Sequence, residues 1–215
     1  MSFEVIIESL FRGFGMTVAI FFATLVIALP LGLIFSFLQN SKIKVISWLM
    51  NSFIWVVRGT PLMLQLMIIY YGPGLLFDVR LRDFEFAATL IAFSINYACY
   101  FSVIFKGGMN AVAKGQYEAC QVLGMKKSQA FVNVAMPQIY KNILPPMSNE
   151  IITLVKDTSL AKVVALPEII HVANNIRSLT ASVLPLFGTA IFYLVFVGIL
   201  SVLFAKLEKR TNRYR

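Results

Sequence analysis

The 215-residue chain is 59% hydrophobic and 13% charged, with a mean hydropathy of +0.79, whereas a soluble domain is about half apolar and a quarter charged. This composition excludes a large soluble catalytic domain, because uncharged runs near the roughly 20 residues of a membrane-crossing helix leave little chain for anything else. The formal net charge of +9 reads as loops flanking membrane spans rather than as a nucleic-acid-binding face.

Residues 13–41 carry no charge and follow Glu4, Glu8 and Arg12. The run is longer than the apolar stretch of a secretory signal and predicts a retained transmembrane helix over 13–38. Residues 45–57 are apolar but too short to cross; with Trp48, Asn51 and Trp55 they predict an interfacial segment, closed by Arg58. Further spans are expected over 59–77 and 86–105, joined by the charged loop 78–85. Residues 107–129 mix glycine, lysine and glutamate with scattered apolar side chains and predict a sizeable loop carrying short helices. A fourth span is placed over 138–158, in a region broken by Pro137, Pro145 and Pro146, since membrane helices tolerate proline where neighbours re-satisfy the freed carbonyls. The fifth covers 183–205. Gly13, Gly32 and Gly198 are expected to permit close helix contact. The chain thus reads as a single all-α membrane domain, 1–215, of about five transmembrane helices.

The basic residues divide unevenly between the two sides. One side carries Lys42, Lys44 and Arg58, then Lys106, Lys114, Lys126, Lys127 and Lys141, then Lys206, Lys209, Arg210, Arg213 and Arg215; the other has Arg12, Arg80, Arg82, Lys156, Lys162 and Arg177. The positive-inside rule then places the amino terminus outside and the carboxyl terminus in the cytoplasm. Arg58 reads first as such an anchor, and second as a positioned cation at an inner gate or a contact to the 107–129 loop. Cys99 and Cys120 are too few for a disulfide framework, and His171 has no partner at metal-ligand spacing, so no metal site is expected.

Within the cytoplasmic loop stand Glu118-Ala119-Cys120, three residues, Gly124, nine residues, and then Val134-Ala135-Met136-Pro137. This resembles the EAA motif of ABC importer membrane subunits, E-A-A, three residues, G, nine residues, I-x-L-P, with conservative departures at Cys120, Val134 and Met136. Residues 115–123 suit a short helix ended at Gly124, which accepts a positive φ, and Ala119 and Leu123 fall on one face as a small apolar knob. Two further stretches resemble polar amino acid permeases: Arg58-Gly59-Thr60-Pro61-Leu62 with Gln65 and Tyr70-Tyr71-Gly72, and Asn149-Glu150 through Lys156-Asp157-Thr158-Ser159-Leu160. The resemblance implies the type I ABC importer permease fold and a permease subunit for polar, notably basic, amino acids in the cytoplasmic membrane. It also implies a coupling helix docked on ABC ATPase subunits through Glu118, Ala119, Cys120, Leu123 and Gly124, although Glu118 suits local capping or pairing equally well. A second permease subunit, identical or homologous, and an extracytoplasmic amino-acid-binding protein are the other expected partners.

No G-x-x-x-x-G-K-[ST] loop occurs in the chain, so it is expected to be no enzyme and to bind no cofactor, with ATP and Mg held by the partner ATPase. For a substrate site, ionisable groups at membrane depth are the first candidates. Glu150, Thr153 and Asp157 share one helical face, with about 10 Å between the acids. Asn96 and Tyr100 share a face of the third span, and Tyr97 adds a polar handle near its middle. The two acids favour a cationic amino acid. Against this, Asp157 also suits local pairing with Lys156 or Lys162, and Glu150 suits bonding to backbone freed by the prolines. An ion-coupled secondary transporter using Glu150 and Asp157 as proton sites is the alternative function, though paired repeats are not evident. An ABC permease for another small solute is a further alternative.

Overall fold

The computed structural model describes residues 3–78 and 82–211. Arg80, Arg213 and Arg215 of the charge balance lie outside the described residues. The helices are α1 (Phe3–Gln39), α2 (Lys44–Gly59), α3 (Leu62–Phe77), α4 (Glu85–Asn110), α5 (Lys114–Val122), α6 (Lys127–Ala130), α7 (Met136–Asp157), α8 (Ile169–Thr180) and α9 (Leu184–Thr211). A π-helical turn, Phe131–Ala135, leads into α7, and a 3-10 segment, Thr158–Val164, leaves it. Among the described residues there is no strand.

Helix α1 has 37 residues, about 55 Å of length against a hydrocarbon core of about 30 Å. It starts ten residues before the uncharged run, and in that first stretch Glu8 and Arg12, one turn apart, pair at 2.7 Å on an exposed face. Charge alone therefore marks where the apolar run begins, not where the helix does. Helices α1, α4 and α9 are long and apolar enough to cross a membrane, and α2 with α3 makes a further apolar pair bent by 101°. The expected 59–77 span is thus divided by an elbow at Thr60-Pro61, with Gly59 ending α2 and Leu62–Phe77 forming α3. Helix α7 is long enough but carries Lys141, Glu150, Lys156 and Asp157. Its Pro145-Pro146 pair lies inside the helix, where the Ser148 hydroxyl donates to the Leu144 carbonyl at 2.7 Å.

The core forms around α4, which packs most extensively on α1 and also meets α2, α3 and α7. Phe93, Tyr97 and Phe101 of α4 are buried with Ile20 and Phe21 of α1, Leu66 of α3 and Leu154 and Val155 of α7. Gly32 lets the two long backbones approach: a Cβ there would lie 2.8 Å from the Phe101 Cβ and 3.0 Å from the Ala98 carbonyl oxygen. Gly13 plays the same part against α8, where a Cβ would meet the Ile169 Cα at 3.0 Å. Gly198 does not, having nothing within 4 Å of its missing Cβ; its place among apolar residues said nothing about which face of α9 meets a neighbour.

The connection between α7 and α9 carries a buried acid, Glu168. Its carboxylate caps α8, accepting from the Ile170 and His171 amides at 2.7 Å each, and Thr17 of α1 accepts the Ile169 amide at 3.3 Å. Burial pushes the Glu168 carboxyl up to about 7, against the opposing pull of the two amide hydrogen bonds and Lys162.

Two outcomes are expected in thermal denaturation of the detergent-solubilised protein. Gly32→Ala overpacks the α1–α4 contact, which costs about 1–3 kcal/mol and lowers Tm, whereas Gly198→Ala leaves Tm nearly unchanged. The folded protein keeps the Glu168 proton after the unfolded chain has released it, so this contribution is complete below about pH 4.5 and is lost as pH rises to about 7. The Tm of wild type minus that of Glu168→Gln accordingly falls over that window and levels off above it.

Candidate functional site

The site begins at the elbow between α2 and α3. Proline restricts the residue before it to extended backbone, and Thr60 has φ −118° and ψ 147°, so the helix ends at Gly59 and restarts at Leu62. Such a break frees carbonyls that bulk water would normally satisfy. Here the Thr60 hydroxyl bonds the Val56 carbonyl at 3.0 Å and the Val57 carbonyl at 3.3 Å. The Gln65 amide donates to the Val57 carbonyl at 2.7 Å, the Thr60 carbonyl at 3.2 Å and the Thr60 hydroxyl at 2.8 Å.

The elbow forms one wall of a cavity of about 690 Å³, within the range of small-molecule sites, about 300–1,000 Å³. Helix α4 contributes Asn96, Tyr97 and Tyr100, and α7 contributes Glu150, Thr153 and Asp157. All six candidate residues from the two helical faces therefore line a single cavity. The Tyr97 hydroxyl donates to Asp157 Oδ2 at 2.7 Å, tying α4 to α7, and Asp157 makes no salt bridge with Lys156 or Lys162 among the described residues. Glu150 has no hydrogen bond to freed backbone among the described residues.

Arg58 is the main departure from expectation. It lines the cavity, with its guanidinium carbon 4.9 Å from the centre of the Tyr100 ring, in cation–π contact. Proximity to a basic cluster in sequence favours an anchoring role; the structure shows that the exposed side chain also lines the cavity at the elbow. Gln65, previously only part of a motif, joins the same network, since Asn96 Nδ2 donates to its Oε1 at 3.0 Å. A signal for both was available: irregular backbone at membrane depth occurs where it is buried in protein or lines a cavity, and Gly59-Thr60-Pro61 interrupts an apolar run.

The 107–129 loop presents a separate surface. After α5, Gly124 adopts φ +70°, and the Met125 amide bonds the Cys120 carbonyl at 3.0 Å while the Gly124 amide bonds the Gln121 carbonyl at 3.0 Å. This glycine-ended cap satisfies the final carbonyls and halts the helix. Glu118, Ala119 and Leu123 are exposed, as is Val122, whereas Cys120 is only 4% exposed and turns inward. An apolar tip of Val122 and Leu123 on a polar helix is the kind of feature that seats in a partner's groove.

Residues 28–213 match the family described as binding-protein-dependent transport system inner membrane component. The chain belongs to this family, and is accordingly a transport permease subunit of an ABC importer rather than an enzyme. It is 34% identical over 205 residues to the arginine transport system permease protein ArtQ of Bacillus subtilis, covering 95% of this chain and 93% of that protein. The L-cystine transport system permease protein TcyB of the same organism is 33% identical, with 94% and 86% covered. A solved amino acid ABC transporter with histidines superposes with a TM-score of 0.86 at 32% identity, covering 98% of this chain and 99% of that one. The MetNI methionine ABC transporter, at 14% identity and a TM-score of 0.69, shares the fold.

Tyr97→Phe keeps the ring and removes only the donor to Asp157. Hydrogen bonds to charged groups contribute about 1.5–3 kcal/mol, so the variant is expected to melt at lower temperature, and Asp157→Asn in the Tyr97→Phe background should lose less than it does in wild type.

Proposed function

We propose that the cavity lined by Arg58, Asn96, Tyr97, Tyr100, Glu150, Thr153 and Asp157 binds a cationic L-amino acid on its way to the cytoplasm. The observation that carries this reading is the charge pattern of the cavity: two carboxylates on α7 and one guanidinium on the elbow. A cationic amino acid such as arginine or lysine carries two positive groups and one carboxylate, the complementary set. Its net charge of +1 offsets the formal −1 of the three side chains, which makes transfer from water into the site less costly than for a lone ion. Arg58 takes the substrate carboxylate, and Glu150 and Asp157 take the cationic groups. Similarity to arginine permeases supports the choice.

The exposed α5 loop docks on an ABC ATPase, with Glu118, Ala119, Leu123 and Gly124 at the contact. ATP and Mg are held by that partner. The basic side of the chain, with the α5 loop and the carboxyl terminus, faces the cytoplasm, and the amino terminus faces outward. An extracytoplasmic binding protein delivers the amino acid from the other side, and a second permease copy or homologue closes the translocation path. ATP-driven closure of the ATPases then moves the coupling helices and alternates the access of the cavity.

The test is uptake of labelled arginine, lysine and glutamine by cells expressing the complete transporter, with wild-type permease and Glu150→Gln. Loss of one charge-assisted hydrogen bond predicts a fall of about tenfold or more in arginine and lysine uptake, with co-purification of the ATPase unchanged. Equal transport by the two proteins, or wild-type uptake restricted to neutral amino acids, would overturn the assignment.

A further inference from the structure

Gln65 does not line the cavity, yet it bonds both walls. Its side-chain orientation follows from its neighbours. One end of the amide faces three oxygens, the Val57 carbonyl, the Thr60 carbonyl and the Thr60 hydroxyl. Both carbonyls can only accept, so that end is the NH2 group. Its other end is therefore Oε1, an acceptor, and Asn96 must meet it with a donor, Nδ2, at 3.0 Å. Asn96 is 4% exposed and lines the cavity. Nδ2 spends one of its two hydrogens on Gln65, and Oδ1 is the acceptor that Asn96 retains for a ligand. A free asparagine amide offers either end; this one is set.

Asn96 also lies one helical turn from Tyr100, over whose ring Arg58 sits. A substrate carboxylate at Arg58 carries its α-ammonium on the adjacent carbon, and Arg58 and Asn96 line the same cavity. We infer that Gln65 is a positioning residue that holds the Asn96 amide with Oδ1 toward the cavity, to accept a hydrogen bond from the substrate α-ammonium. This rests on the amino acid reading of the cavity, and extends it from the charge of the substrate to recognition of its α-amino group.

The test uses the purified permease–ATPase complex without binding protein, so that the permease cavity alone sets affinity. Equilibrium binding of arginine is compared with that of 5-guanidinopentanoate, which keeps the guanidinium and carboxylate but lacks the α-ammonium. Gln65→Leu is expected to weaken arginine binding about tenfold, the size of one amide hydrogen bond with its alignment, and to change 5-guanidinopentanoate binding much less. An equal loss for both ligands makes Gln65 a structural residue only and overturns the inference, as does unchanged arginine binding. A second measurement needs no ligand: the Tm values of Gln65→Leu, Asn96→Leu and the double variant. Non-additive losses support the linked pair, and additive losses overturn it. A wild-type complex that binds no arginine removes the substrate reading instead, and the Tm cycle then decides the Gln65–Asn96 link by itself.

Discussion

A backbone that turns inside an apolar slab must satisfy every carbonyl and amide it releases, because no bulk water is there to do so. In this permease the backbone breaks at Gly59-Thr60-Pro61 between two apolar helices, and the Thr60 hydroxyl and Gln65 amide take up the carbonyls it releases. The rest of the site depends on it. The elbow turns α2 from α3 by 101° and brings the guanidinium of Arg58 over Tyr100.

The cavity shows a related economy of polar groups. Charges at membrane depth are costly unless they face a watered space or one another. Here Glu150, Asp157 and Arg58 face the same space, and Asp157 is further held by the Tyr97 hydroxyl. Helices α4 and α7 are joined by this bond, and α4 is joined to the elbow by Asn96 and Gln65. The walls of the cavity are thus linked to one another through side chains that also define its polarity. Holding the walls in place and setting the polarity between them are done by the same few residues.

Packing differs sharply from place to place. Helix α4 is buried by α1, α2, α3 and α7 and supplies the rigid reference of the fold. Helix α5 sits at the surface on a glycine-ended turn, with Val122 and Leu123 exposed.

Much of this was legible in the amino-acid sequence. Uncharged runs marked α1, α4 and α9 because a charge inside hydrocarbon is expensive, and the helix ended at Gly124 could be read because glycine accepts a positive φ. Glu150, Thr153 and Asp157 could be set on one face because helical periodicity is local. What the sequence left open depends on distance across the fold. Whether Arg58 anchors or lines the cavity, whether Asp157 pairs with a neighbouring lysine or with Tyr97 sixty residues away, and whether Gly198 or Gly32 touches another helix are questions of which faces meet. Periodicity defines a face but not its partner; only the packing of α1, α4 and α7 around the elbow decides that, because it alone determines which polar groups are left to satisfy one another.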